Sequence, residues 1–144
     1  MTHYNANLKP NVSYARINGR LASQYVSQCK PFKNSNGQLY GHWEAGGVAY
    51  SDGAGMRYVV YSYGKHWPLF VWDDETQRWY GNSDKHSMTT SKHRTYAHPR
   101  LTNTNTNTNT NDTIHWIPLE AMKVLAREGY RALAAARIQG VTFD

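Results

Sequence analysis

Ser87, Met88, Thr89, Thr90, Ser91, Lys92, His93 and Arg94 place four hydroxyls and three basic side chains in eight consecutive positions. If a helix starts here, its first N–H groups lack intrahelical acceptors and sit at the positive end of the helix dipole. That collection suits phosphate or carboxylate. A Ser/Thr cluster also serves as a plain helix cap, with Thr89 or Thr90 in that role, so both readings stand. Asn82 and Asp84 lie just upstream, two apart in the pattern of an Asx-turn. The same two side chains could hydrogen-bond a ribose or a base edge.

Other side chains invite other chemistry. His66, His86, His93 and His98 fall close together in the chain, but no pair has metal-ligand spacing and the single cysteine, Cys29, is distant. No metal and no cofactor is expected. His86 and His93 with Lys92 could cleave RNA by metal-independent acid–base catalysis, although nothing in the sequence fixes their geometry. Asp73-Asp74-Glu75 reads as a solvated hairpin turn. The glycine-rich stretch 46–55 lacks the Lys-Ser/Thr that follows the glycines of a phosphate-binding loop, and there is no G-x-S-x-G.

These residues need elements to hold them. Met56–Tyr63 is β-branched and aromatic, Gly64-Lys65 is a tight turn, and His66–Trp72 returns as a second strand. Pro68 belongs at a strand start or an edge. Gln77–Tyr80 is a third short strand, and Gln38–Glu44 precedes them as another. Val12–Ile17 reads as a short strand at the end of an extended arm. Leu21, Ala22, Tyr25, Val26 and Cys29 recur at helical spacing, which predicts a helix over about 20–29. A second short helix runs to about Ala97 and is ended by Pro99. Pro118 at a first helical position opens a helix that Gly129 ends or kinks, and the apolar pattern resumes to Gly140. The fold class is α+β: an antiparallel meander sheet, a short helix after the last hairpin strand, and a C-terminal helical pair packed on one face.

The length of 144 residues fits one domain. Residues 1–101 form its N-terminal and central part. Residues 102–112, mostly a Thr-Asn dipeptide repeat, form a low-complexity linker that cannot bury an apolar face. Residues 113–144 form a helical segment packing on the same domain. The net charge is +6, and residues 1–43 hold no acid. That balance favours a phosphorylated small molecule or nucleic acid as partner. No apolar run approaches a membrane span, which predicts a soluble, intracellular protein. Cys29 reads as a buried, inert thiol.

Tyr61-Ser62-Tyr63-Gly64 through Pro68-Leu69, followed by Asn82-x-Asp84-Lys85-x-Ser87-x-Thr89-Thr90-Ser91-Lys92-His93, resembles a motif of small uncharacterised bacteriophage proteins. It covers about 40 residues. A weaker resemblance is to phage Thoeris anti-defence sponges, which are non-catalytic oligomers that sequester cyclic ADP-ribose-type signals. That resemblance implies a homo-oligomer in the host cytoplasm, with Trp72, Asn82, Asp84 and Arg94 or Arg100 lining a pocket. The combined expectation is a counter-defence protein that binds a phosphorylated nucleotide-like ligand without turning it over. Phosphate would lie against Ser87, Thr89, Thr90, Ser91, Lys92 and Arg94. Trp72 or Tyr80 would stack on a base. A basic nucleic-acid-binding protein is the first alternative and a metal-independent ribonuclease the second.

Overall fold

The structure, a computed structural model, describes residues 14–47, 55–85, 88–100, 114–138 and 141. The N-terminal arm, most of the glycine-rich loop, His86, Ser87 and the Thr-Asn repeat of the expectations above lie outside these residues. The fold is α+β, as the patterning predicts. One open sheet carries seven strands in sequence order: β1 (Ala15–Ile17), β2 (Phe32–Asn34), β3 (Leu39–Glu44), β4 (Arg57–Ser62), β5 (Pro68–Asp73), β6 (Arg78–Asn82) and β7 (Ile114–Ile117). From β2 to β6 every neighbour is antiparallel, which is the expected meander. The two outer pairs, β1 with β2 and β6 with β7, are parallel. Each parallel pair is joined by a long connection through a helix, as parallel pairing requires. β2 and β7 are short, and β2 adjoins an evident turn, so neither stands out in the sequence.

β4 is the middle strand, and all six of its residues are buried. Alternation sends Tyr58 and Val60 to one face and Val59 and Tyr61 to the other. The first face packs on α1 (Ala22–Ser27) through Ala22 and Val26, and on α2 (Met88–Ala97) through Ala97. The second packs on α3 (Leu119–Glu128) through Ala121, Met122, Leu125 and Ala126, and on α4 (Tyr130–Ala136) through Leu133. The C-terminal pair thus covers one face, as expected, while α1 and α2 cover the other. A strand enclosed on both sides explains why Tyr58-Val59-Val60-Tyr61 is a continuous apolar run rather than an alternating one.

Local punctuation differs from the sequence reading in four places. The helix predicted over 20–29 is a 3-10 turn at Gly19–Leu21 followed by α1, and Cys29 leaves it with a left-handed φ of 54°. α2 already includes Met88, so Thr89 and Thr90 lie inside its first turn instead of capping it. Pro118 is the residue before α3, with an extended backbone, and Gly129 separates α3 from α4 at φ 90°. The turn between β4 and β5 is also longer than Gly64-Lys65. Tyr63 takes a left-handed φ of 66°, and Ser62 N–H donates to Trp67 O at 3.1 Å. Pro68 opens β5, and a bulge follows it.

Candidate functional site

The wide β4–β5 loop opens a cavity at this end of the sheet. Its volume is about 470 Å³, and it is lined by Ser62, Tyr63, His66, Trp67, Thr90, Leu119 and Lys123. Small-molecule sites fall in this range, at roughly 300–1,000 Å³. Three elements supply the lining. Ser62 ends β4 and the aromatic rings come from the loop. Thr90 projects from the first turn of α2. Leu119 and Lys123 are four apart on α3 and therefore share a face. A groove of about 500 Å³ continues from Leu119 and Lys123 along α3, past Asp84, Val124 and Arg127.

α2 packs a polar stripe against the sheet. Its buried residues are Thr90, His93 and Ala97, at i, i+3 and i+7. Behind the cavity the Ser62 hydroxyl shares a 2.7 Å hydrogen bond with His93 Nδ1. The Tyr63 ring lies 5.5 Å from the His93 ring, tilted by 34°. Burial holds the His93 imidazole below its ordinary value of 6.5. Below pH 6.5 the unfolded chain therefore takes a proton that the folded chain refuses, and stability declines as pH falls towards the lowered value. Urea midpoints are expected to drop as the pH falls below 6.5, with His93→Gln flattening the decline. Equal declines in both proteins would contradict this assignment.

The remaining predicted positions scatter. Trp72 and Tyr80 lie on opposite faces of the sheet, because Trp72 pairs with Trp79 and Val71 with Tyr80. Trp72 contacts the Trp79 ring at 5.6 Å. Tyr80 is buried between His115 and Tyr130. Asn82 is fully buried and uses both ends of its amide, donating to Pro68 O at 2.9 Å and accepting from Asp84 N at 2.8 Å. The Asx-turn reading of this pair is thus what the chain forms. Asp84 Oδ2 in turn accepts from Leu119 N at 3.0 Å and so caps α3 from a distant segment.

Thr89 and Lys92 are exposed on the outer side of α2, and Ser91 is half-buried. Lys92 therefore points away from its buried neighbour His93. Arg94 donates to Asn82 O at 3.0 Å and lies over the Trp116 ring. Arg100 is exposed, with its backbone N–H donating to Ser27 Oγ at 2.6 Å. Of the expected ligand contacts among the described residues, only Thr90 lines the cavity. Among the described residues no cluster of His, Cys, Asp or Glu could hold a metal ion. Asp73 instead builds its turn, accepting from both Thr76 N and Thr76 Oγ1. Burial pushes the Cys29 thiol up, which keeps it protonated and inert.

A second polar cluster was not singled out by the sequence reading. Glu44 Oε2 accepts from His42 Nε2 at 2.8 Å and from the Tyr61 hydroxyl at 2.7 Å. Tyr14 meets His42 Nδ1 on the other side of the ring. Burial alone would raise the Glu44 carboxyl, but these two hydrogen bonds bring it below its ordinary value. The signal was available: His42-x-Glu44 on a strand must put both side chains on one face.

No helix among the described residues is long and apolar enough to cross a membrane. Comparison with protein-family models, curated proteins and solved structures finds no match to this chain.

Proposed function

We propose that the protein binds a small phosphorylated, nucleotide-like ligand in the cavity between the β4–β5 loop, α2 and α3, and holds it without turnover. One observation carries this reading: flat aromatic side chains, a hydroxyl and an ammonium line one cavity of about 470 Å³. Tyr63 and Trp67 offer rings for a base. Lys123, Thr90 and His66 offer donors for a phosphate. The Ser62–His93 pair supports binding rather than acyl transfer. Ser62 is fully buried, and among the described residues no carboxylate bonds to His93.

The phage resemblance gives this reading a setting. A counter-defence protein would sequester a signalling nucleotide in the host cytoplasm as a homo-oligomer. Titration calorimetry with mono-, di- and cyclic nucleotides tests the site. Lys123→Ala is expected to weaken binding about 10- to 100-fold, the loss of one charge-assisted contact. Thr90→Val should cost less, about fivefold. No binding at millimolar nucleotide, or equal binding by wild type and Lys123→Ala, would overturn the proposal.

A further inference from the structure

We infer that the outer face of the α1/α2 layer, together with Trp116 on the edge strand β7, binds single-stranded nucleic acid. This surface is separate from the cavity, and the inference does not depend on the ligand proposed there. The first observation is its charge. Arg20, Lys30, Lys92, Arg94 and Arg100 belong to this layer, and residues 14–43, 88–100 and 114–117 contain no acidic side chain. Of the described carboxylates, Asp74 comes near the Lys30 end of this layer, where it acts on Cys29 and accepts from Trp72 Nε1; the others lie at the end of β3, at the end of β5 and its turn, at Asp84 and on α3.

Contacts tie the layer together. Ser23 Oγ donates to His98 O, Arg100 N–H donates to Ser27 Oγ, and the Arg20 guanidinium lies 5.9 Å above the Tyr96 ring. A polyanion laid across it from Arg20 to Trp116 meets cations, with Asp74 near the Lys30 end alone.

The second observation is an aromatic platform. Trp116 is 45% exposed, unusual for so large a ring. Its ring is fixed against the backbone of its cross-strand partner Gly81, where an added Cβ would come within 2.7 Å of Trp116 Cζ3. The Arg94 guanidinium lies 5.6 Å from the ring centroid, and the His98 ring 6.1 Å away. With Ser83 and Thr95 these residues line a shallow groove of about 350 Å³. A held ring beside a cation is the arrangement on which unpaired bases stack while the backbone follows the positive charge. In a duplex the base faces are already stacked, so the ring would have nothing to receive. An anionic bilayer would satisfy the charge but leave the groove unused.

Fluorescence anisotropy with labelled 12-nucleotide pyrimidine strands, as DNA and as RNA, tests the inference. Binding is expected with log K falling linearly in log salt, at a slope of about −2 to −4 for three to five phosphate contacts. Either sugar supports it, and the two arms show which is preferred. Trp116→Ala should weaken binding about 5- to 150-fold, with Trp116→Phe retaining most of it. If Trp116→Ala does not fold, Lys92→Gln/Arg100→Gln carries the test, since both side chains are exposed and their loss should flatten the slope by about 1–2. The inference is overturned by no binding at 50 mM salt (on the order of the low end of such assays), by an unchanged affinity in Trp116→Ala, by an unchanged slope in Lys92→Gln/Arg100→Gln, or by equal or tighter binding to matched duplex, heparin or phosphatidylserine vesicles.

Discussion

Arg57→Met is expected to remove about 3–5 kcal/mol of folding stability, the largest loss from any single substitution considered. Arg57 is 1% exposed at the start of the central strand. Its Nε donates to Ala126 O at 2.9 Å and its Nη2 to Arg127 O at 2.8 Å. Its Nη1 serves Gly46 O at 2.9 Å and also Gly55 O. Two of these carbonyls belong to the last turn of α3, where no further helical N–H is available and the dipole is negative. One planar cation therefore ties the end of α3 to the sheet. Methionine would fill the space but leave four carbonyls without that donor. Arg131, whose ion pair with Glu75 is exposed, provides the contrast. Arg131→Ala should change stability by no more than about 1 kcal/mol. Urea unfolding of both variants checks the pair of values. A midpoint for Arg57→Met close to wild type would mean that α3 does not depend on this anchor.

Gly41→Ala is expected to cost about 2–4 kcal/mol, through overpacking and a lost hydrogen bond. A Cβ on Gly41 would sit 2.6 Å from the Tyr58 hydroxyl and 2.9 Å from Phe32 Cε1. Tyr58 and Phe32 are fully buried, so neither ring can swing into solvent. The Tyr58 hydroxyl crosses Gly41 to donate to Lys30 O at 2.7 Å, which fastens the segment after α1 to the sheet. The added methyl must break that contact or displace β3. The melting temperature should fall by roughly 5–15 °C for a chain of this size. Removing the hydroxyl relieves the closest clash, so Gly41→Ala combined with Tyr58→Phe should cost less than the two single changes summed. Strict additivity would show that the tyrosine is not what excludes the methyl.

The sheet was legible where local signals agreed. Arg57–Ser62 combines β-branched and aromatic residues between turns, and Asp73 to Gln77 and Asn82 to Asp84 carry turn chemistry that the structure uses directly. Gly129 marked the break between the two C-terminal helices. The face to which each helix turns was not legible. α2 buries a threonine, a histidine and an alanine, and a polar stripe gives no hydrophobic period from which to read it.

The grouping of side chains around the cavity was not legible for a related reason. Proximity in sequence grouped Asn82 with Arg94, and they meet through the Asn82 backbone carbonyl, yet the Asn82 side chain is consumed in holding β6 to β5, and Lys92 and His93 diverge on successive helix positions. Lys123 is over 30 residues away from Thr90 in the chain and reaches the same cavity only because α3 packs on the opposite face and starts level with the first turn of α2. No local pattern encodes that meeting. The expected stacking residues Trp72 and Tyr80 could be separated by strand alternation only once the register was known.

The most direct test of the account is a nitrogen-15 correlation spectrum of the protein titrated with the tightest-binding nucleotide from calorimetry. Shift changes should concentrate at Ser62, Tyr63, His66, Trp67, Thr90 and Lys123, and Lys123→Ala should need about 10- to 100-fold more nucleotide to reach them. Changes centred on Trp72, or no changes at any nucleotide concentration, would contradict the assignment of this cavity as the binding site.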